Sequence, residues 1–190
     1  PTGGGKSICF QVPALILEGV CIVVSPLIAL MKDQAENLTN KGIPAAAIHS
    51  GMNFHEVKLV LQDAVEGDYK FLYLSPERLE TKIFKDYLAL MNVSLLAIDE
   101  AHCVSEWGHD FRTAYLRLGE NAIKYCKTKN SEHLPLFGLT ATASYDVLAD
   151  VQRELSGNDE ARRLTEDAVV RSEYTKRNEL QYVIEEVTFP

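Results

Sequence analysis

Short apolar runs alternate with longer amphipathic stretches along most of the chain. The runs are rich in β-branched and other apolar residues, which predicts buried strands at residues 20–24, 45–48, 71–74, 95–98 and 136–139. Between them, apolar side chains recur three or four positions apart, as in amphipathic helices. These side chains are Leu27, Leu30, Met31, Ala35 and Leu38; Phe54, Val57, Leu61 and Ala64; and Val147, Ala149, Val151 and Leu155. Strands that alternate with helices predict an α/β fold with a mainly parallel sheet and helices on both faces.

One domain accounts for this pattern. The breaks at residues 41–44, 66–68 and 128–132 have the length of loops, and the chain contains no internal repeat or low-complexity tract. With 46% hydrophobic and 24% charged positions among 190 residues, the chain has enough apolar mass for a core, which excludes a disordered protein. We therefore predict a domain over residues 1–169, followed by a tail over residues 170–190.

Composition and charge argue against several classes of protein. The apolar runs are far too short to cross a bilayer and no charged-then-apolar leader is present, so we expect a soluble intracellular protein that does not contact membranes. The four cysteines lack the paired spacing of a zinc site or a disulfide framework, and we expect reduced thiols. A net charge of -8 argues against a surface that holds nucleic acid throughout, so any contact with DNA must be local.

The first seven residues match the later part of a phosphate-binding P-loop. In this interpretation the backbone N–H groups of the loop turn toward phosphate oxygens, Lys6 reaches the β and γ phosphates, and Ser7 ligates Mg²⁺. The nucleotide-binding residues would be Thr2, Gly3, Gly4, Gly5, Lys6 and Ser7. The start of the motif, and the strand that leads into it, would precede residue 1, so the predicted sheet lacks its N-terminal strand. The alternative is an ordinary glycine-rich loop.

Adjacent carboxylates follow the strand at residues 95–98. This arrangement is typical of an ATPase in which Asp99 holds Mg²⁺, through water, and Glu100 acts as general base toward the attacking water. The alternative is an exposed acidic strand end. His102 lacks the second ligand of a zinc site and the serine motif of a nucleophile relay, so we interpret it as a coupling residue beside the γ-phosphate.

The sequence from Asp99 to His102, Asp-Glu-Ala-His, resembles the DEAH form of motif II in superfamily 2 helicases. The next residues, 103–112, resemble the aromatic-rich loop of RecQ helicases, although Glu106 stands where the family often has Gln. Thr113 likewise stands where the family often has Pro. Further similarities fall in family order, with residues 24–34 resembling motif Ia, 74–79 motif Ib, 139–143 motif III, and 172–180 the passage to the second motor domain.

This resemblance implies a fold and an activity. The chain is identified as the first RecA-like motor domain of a RecQ-family ATP-dependent DNA helicase, which predicts a P-loop NTPase fold, an α/β three-layer sandwich. The implied cofactors are ATP and Mg²⁺, and the implied partners are single-stranded and partly duplex DNA and the second motor domain of the same chain. The implied activity is 3′ to 5′ translocation and unwinding in DNA repair and recombination, in the cytoplasm or the nucleus. Because the second motor domain supplies arginine fingers, we expect this chain alone to hydrolyse ATP poorly.

The resemblance also assigns residues that contact DNA. Trp107 and Phe111 would stack on unpaired bases and Arg112 would meet phosphate or nucleotide, whereas the alternative places the two aromatic residues in the core. Ser25 and Ser75 precede prolines directly after strands, where they would contact DNA phosphates or, alternatively, cap helices.

Two weaker signals lie at other strand ends. Thr140 and Thr142 would sense the γ-phosphate region and relay its state to the DNA-facing loops, with turn formation as the alternative. His49, Ser50 and Gly51 resemble a further strand-end DNA contact of this superfamily, although Ser-Gly is also a common turn.

Two rival functions share part of this pattern. A DEAH-type RNA helicase has both nucleotide motifs but should lack the loop with Trp107, Phe111 and Arg112. A non-catalytic module would use a degenerate motor fold only as a docking or nucleic-acid-binding surface, which does not require Lys6 and Glu100 together.

Overall fold

The computed structural model describes residues 5–107, 112–126, 128, 134–141, 143–156, 166–170 and 183. The strands in this part of the chain are β1 (Val20–Val24), β2 (Ala45–Ile48), β3 (Phe71–Leu74), β4 (Val93–Ile98) and β5 (Leu136–Gly138). The helices are α1 (Lys6–Ile16), α2 (Ile28–Asn40), α3 (Phe54–Glu66), α4 (Pro76–Leu79), α5 (Lys82–Leu88), α6 (Leu118–Tyr125) and α7 (Tyr145–Ser156). Short 3-10 turns lie at Ala101–Val104, Thr113–Tyr115 and Glu166–Ala168.

The strands form one sheet in the order β2-β3-β1-β4-β5, and all of their pairings are parallel. Strand β1 lies at the centre, where Val24 pairs with Leu74 on one side and with Ile98 on the other. Every residue of β1 and β4 is buried, as expected for strands that are covered on both faces. The predicted parallel sheet is therefore confirmed.

Helices cover both faces of this sheet and create two cores. On one face, Cys21 and Val23 of β1 pack with residues of α1 and α2 such as Phe10 and Met31. On the other face, alternate strand residues pack with α3, α5, α6 and α7. The two cores follow from the two-residue period of strands, which sends neighbouring side chains to opposite faces. The predicted three-layer α/β sandwich is confirmed.

The elements differ from the sequence prediction in a few places. Strand β4 begins two residues earlier than predicted and β5 ends one residue earlier. Helices α4, α5 and α6 were not predicted, because they have only four, seven and eight residues and show too few turns for a clear apolar period. None of the described helices is long and apolar enough to span a bilayer.

Helix α6 packs unusually closely on the end of α7. A Cβ atom at Gly119 would lie 2.3 Å from the carbonyl oxygen of Glu154 and 2.6 Å from that of Leu155. Only a residue without a side chain fits between these two backbones. This contact fixes α7, which carries residues that matter for the loop described below.

Candidate nucleotide site and the adjoining loop

The residues with candidate chemistry gather at the carboxyl edge of the sheet. The strand register places Ser25, Ser75 and Asp99 side by side, directly after β1, β3 and β4. The ladder continues beyond the strands, because the N–H of Asp99 donates to the carbonyl oxygen of Val24 (2.8 Å). In parallel sheets, ligands bind at this edge.

The amino end of α1 meets the end of β4 at this edge. Gly5 has a left-handed backbone (φ 74°), which allows the chain to turn directly into the helix. Lys6 then lies with its Nζ 3.7 Å from Oε1 of Glu100, and both side chains are partly exposed. Ser7 is partly exposed in the first turn of α1. Thr2, Gly3 and Gly4 lie outside the described residues, so the phosphate-binding loop itself is described only from Gly5 onward.

Glu100 adopts a backbone conformation that is rare for residues other than glycine. Its φ and ψ are 49° and 46°, in the left-handed region. Such a conformation costs on the order of 1 kcal/mol or more and is concentrated at functional sites. It turns the Glu100 side chain out of the strand line toward Lys6, while the N–H of Glu100 donates to Oδ1 of Asp99 (3.0 Å).

Asp99 is buried, and its environment suits a cation. Burial and then the charge of Glu100 raise the pKa of the Asp99 carboxyl, although the N–H of Glu100, the Lys6 ammonium and the Ser25 hydroxyl oppose this shift. The Ser25 hydroxyl lies beside this carboxyl without forming a well-made hydrogen bond. A buried carboxylate is an oxygen ligand of the kind that Mg²⁺ prefers.

The protein offers few ligands of its own for such a cation. Among the described residues, no group of three or more His, Cys, Asp and Glu side chains could hold a metal ion. Mg²⁺ commonly binds one or two protein oxygens and completes its shell with water and substrate phosphate. Asp99 and Ser7 therefore fit Mg²⁺ bound together with a nucleotide rather than a dedicated metal cage.

His102 connects the Glu100 turn to the segment after β5. Its Nδ1 lies 2.9 Å from the Thr140 hydroxyl oxygen and 3.3 Å from Oε2 of Glu100. The ring is buried, so this hydrogen bond is shielded from water. This contact joins two residues of the predicted relay, whose role stays a prediction. Thr142, the second residue of that prediction, lies outside the described residues.

The segment of residues 105–112, hereafter the Trp107 loop, follows the 3-10 turn at Ala101–Val104. The N–H of Arg112 donates to the carbonyl oxygen of Cys103 (2.9 Å), which closes the loop at its base. The Trp107 side chain is 82% exposed, so the interpretation of Trp107 as a core residue is wrong. Arg112 is partly buried, and Phe111 lies outside the described residues.

Ser25 and Ser75 are buried rather than displayed. Ser25 is 2% exposed and Ser75 8%, and neither side chain caps a helix. Helix α2 begins after Leu27 instead of after Ser25, whereas Ser75 occupies the N-cap position of α4 by its backbone alone. A DNA contact at these two positions stays a prediction, and in this arrangement both side chains are buried.

Positive charge gathers around the turn at residues 49–51. Arg78 donates to the carbonyl oxygen of His49 (3.0 Å), and the N–H of Gly51 donates to Nδ1 of the same histidine (3.1 Å). Partial burial, together with the charges of Lys32 and Arg78, lowers the pKa of His49 below its usual value, although Glu56 opposes this. Two cations, Lys32 and Arg78, therefore lie near this turn, together with the carboxylate of Glu56.

Three residues that hold this region together were not predicted from the sequence. The Tyr115 hydroxyl donates to the carbonyl oxygen of Asp99 (3.1 Å), and the Ser105 hydroxyl donates to Oδ2 of Asp150 (2.6 Å). Tyr115 and Ser105 are buried, and Asp150 lies within α7. Each pair is separated by 16 or 45 positions, so only the folded chain brings its members together.

Comparisons with known proteins agree with this geometry. Residues 1–151 match the model of the DEAD/DEAH box helicase family. The chain is 45% identical over 155 residues to the ATP-dependent DNA helicase RecQ of Pasteurella multocida, covering 82% of this chain and 24% of that protein. It is 46% identical over 156 residues to the probable ATP-dependent DNA helicase RecS of Bacillus subtilis, covering 82% and 30%. The chain thus spans less than a third of the length of these relatives.

Among solved structures, the helicase domain of Hef from Pyrococcus furiosus is similar in fold. The TM-score is 0.59 at 19% identity, over 82% of this chain and 32% of the other. At this identity the likeness concerns the fold alone. The family model, however, covers most of the sequence, and the curated relatives confirm the resemblance to RecQ helicases that the motifs predicted. This chain belongs to the DEAD/DEAH box helicase family.

Proposed function

We propose that this chain is the ATP-binding motor domain of an ATP-dependent DNA helicase of the RecQ type. In this proposal the full-length protein couples ATP hydrolysis to 3′ to 5′ translocation along single-stranded DNA and to duplex separation. The proposal rests on one observation. Nζ of Lys6 lies 3.7 Å from Oε1 of Glu100 at the sheet edge, and the exposed Trp107 follows Glu100 in the chain, just after the 3-10 turn. A non-catalytic module has no need of this arrangement.

The nucleotide site works through positioned charges. Lys6 binds the β and γ phosphates after leaving Glu100, and the amino end of α1 adds a favourable dipole for them. Ser7 and Asp99 would hold Mg²⁺, which would neutralise charge on the phosphates. Glu100 orients the attacking water and accepts its proton as the bond from the water oxygen to the γ-phosphorus forms, while the bond from that phosphorus to the β–γ bridging oxygen breaks and ADP leaves. The left-handed backbone at Glu100 keeps its carboxylate directed away from the sheet and toward this site.

DNA binds along the same edge, over a narrow strip. The exposed Trp107 offers a face on which an unpaired base can stack, a contact worth about 1 to 3 kcal/mol. Lys32 and Arg78 supply local positive charge near the turn at residues 49–51, which suits phosphate. This arrangement explains how a chain with a net charge of -8 binds DNA.

Further proposals concern the domain bounds and the cellular role of the full-length protein. We propose that residues 1–169 form the motor domain and that residues 170–190 lead to a second motor domain, which completes the ATP site. The protein would act in DNA repair and recombination, in the cytoplasm of a bacterium or in a nucleus. These proposals rest on the resemblance of the motifs to RecQ helicases; the names of the relatives support only the activity of an ATP-dependent DNA helicase.

The decisive experiment compares DNA and RNA duplexes as substrates of the full-length protein. We expect ATP-dependent unwinding of a DNA duplex with a 3′ single-stranded tail, and little unwinding of the matching RNA duplex. The Lys6→Ala variant serves as the control without nucleotide turnover. Preferential unwinding of RNA would favour an RNA helicase, and an absence of ATP hydrolysis with either substrate would favour a non-catalytic module.

A further inference from the structure

Ser105 lies at the base of the Trp107 loop and is only 1% exposed. Its N–H donates to the carbonyl oxygen of His102 (3.1 Å), and its hydroxyl oxygen accepts from the N–H of Trp107 (3.2 Å). The hydroxyl proton is donated to Oδ2 of Asp150, with 2.6 Å between the oxygens. One small residue therefore joins the turn after Glu100, the Trp107 loop and helix α7.

Asp150 is itself held firmly. Oδ1 of Asp150 lies 2.8 Å from the Arg153 guanidinium one turn later, so both carboxylate oxygens have partners. Val147, Val151 and Leu155 bury the neighbouring face of α7 in the core. A hydrogen bond from a hydroxyl to a carboxylate is short and stronger than one between neutral groups. Helix α7 is therefore a rigid support to which the loop is attached.

The charge around Asp150 excludes a direct role in phosphate binding. A cleft of about 360 Å³ separates the Trp107 loop from α7. Its described lining includes the carboxylates of Glu106, Asp150 and Glu154, against the single cation of Arg153. A phosphate would be repelled from this cleft. Asp150 therefore acts on the loop rather than on DNA.

The β5–α7 segment contacts the nucleotide site at a second point. Thr140 follows β5 and lies 2.9 Å from Nδ1 of His102, whereas Asp150 holds Ser105 three residues beyond His102. The turn at residues 101–105 is thus attached to the same segment at both of its ends. A shift of Thr140 or of α7 relative to β4 therefore acts on this turn, which joins Glu100 to Trp107.

We infer that Asp150 is a positioning residue that acts through Ser105. By fixing the base of the Trp107 loop, it keeps DNA contact at Trp107 coupled to ATP hydrolysis at Glu100. This inference rests on the proposed function, which it deepens by naming the residue that supports the coupling. The hydrogen bond from Ser105, and not the ion pair with Arg153, gives Asp150 this role. The ion pair by itself would only stabilise the exposed face of α7.

The test measures ATP hydrolysis by full-length Asp150→Ala and Ser105→Ala variants, with and without single-stranded DNA. We expect the factor by which DNA raises kcat to fall about ten-fold, a loss within the range seen for coupling residues, while basal kcat and the KM for ATP stay within about two-fold of wild type. The double variant should lose no more than Ser105→Ala alone, because Ser105→Ala already removes the hydrogen bond to Asp150 together with the one from the N–H of Trp107. An additive loss in the double variant would overturn the inference.

A second measurement follows the loop directly. The emission of Trp107 is obtained as the difference between each protein and the same protein carrying Trp107→Phe. We expect the anisotropy of this emission to be lower in Asp150→Ala than in wild type, because the loop base is no longer fixed. An anisotropy equal to that of wild type would overturn the inference, even if the variant hydrolyses ATP abnormally.

Matched variants separate positioning from general stability. Asp150→Asn keeps an oxygen that accepts from Ser105, so we expect it to retain most of the DNA stimulation. Arg153→Gln removes the ion pairs with Asp150 and Glu154 but keeps the hydrogen bond from Ser105, and Asp146→Asn removes an exposed carboxylate from the same helix, so both should resemble wild type. Parallel loss of basal and stimulated rates in Asp150→Ala would reassign Asp150 to stability alone.

The outcome for wild type distinguishes the two proposals. A wild-type enzyme that DNA does not stimulate refutes the proposed function and this inference together. A stimulated wild type with equally stimulated Asp150→Ala and Ser105→Ala variants refutes only the inference.

Discussion

Replacing Glu100 by Gln tests the assignment of the general base most directly. The side chain keeps its size but loses the charge that faces Lys6 at 3.7 Å and its ability to accept a proton. Losing a general base typically lowers the rate by about 10² to 10⁴-fold, so kcat for DNA-stimulated ATP hydrolysis should fall by this factor. DNA binding should remain, because Glu100 lies at the nucleotide side of the turn.

The same variant should not weaken ATP binding. Lys6 must leave Glu100 before it can reach phosphate, and a partly exposed ion pair of this kind contributes about 0 to 1 kcal/mol. Removing the pair should therefore tighten ATP binding by at most about five-fold. The charge of Glu100 also raises the pKa of Asp99, and its loss favours the ionised form of that carboxyl. Both effects should leave the affinity for ATP unchanged or raise it.

The assay combines phosphate release at saturating single-stranded DNA with equilibrium binding of a fluorescent ATP analogue, both on the full-length protein. Glu66→Gln is the matched control, because Glu66 is exposed at the end of α3, on the opposite edge of the sheet. If kcat falls by less than about five-fold, the loss is too small for the removal of a general base, and the role of Glu100 is refuted. A loss of ATP affinity in parallel with kcat would instead indicate a disturbed site.

Four further variants test other parts of the site and fold. Lys6→Ala should abolish ATP binding and turnover but leave DNA affinity in filter binding unchanged, and a matching loss of DNA affinity would contradict this. Trp107→Ala should lower DNA-stimulated hydrolysis more than basal hydrolysis, whereas equal losses would deny the loop a coupling role. Ser25→Ala should leave single-stranded DNA affinity within about two-fold because its hydroxyl is buried, and a ten-fold loss would establish a DNA contact after all. Gly119→Ala should destabilise the protein by about 1 to 3 kcal/mol in denaturant unfolding, since a Cβ would clash with the carbonyl of Glu154, and an unchanged midpoint would rule out that close approach.

Much of the fold was readable from local patterns. The strands at Val20–Val24, Ala45–Ile48 and Phe71–Leu74 have the predicted bounds, because buried parallel strands are continuous apolar runs and loops interrupt them sharply. Lys6, Asp99 and Glu100 were also found from the sequence, since each belongs to a short contiguous motif. Their roles remain predictions that the variants above test.

Tertiary structure alone decided how these residues are arranged. The sequence predicts a DNA contact at Ser25 but not its burial, which follows from the pairing of β1 between β3 and β4 and places the side chain beside Asp99. The partnership of Ser105 with Asp150 depends on how α7 packs, and helix packing leaves no trace in the spacing of the two residues.

The sequence by itself determined the α/β class, the strands and the family, because these depend on periodicity and on short contiguous motifs. The tertiary structure decided which side chains are exposed, which are buried, and which residues support the Trp107 loop. Such properties depend on contacts between residues far apart in the chain, and only the packed sheet and helices specify those contacts.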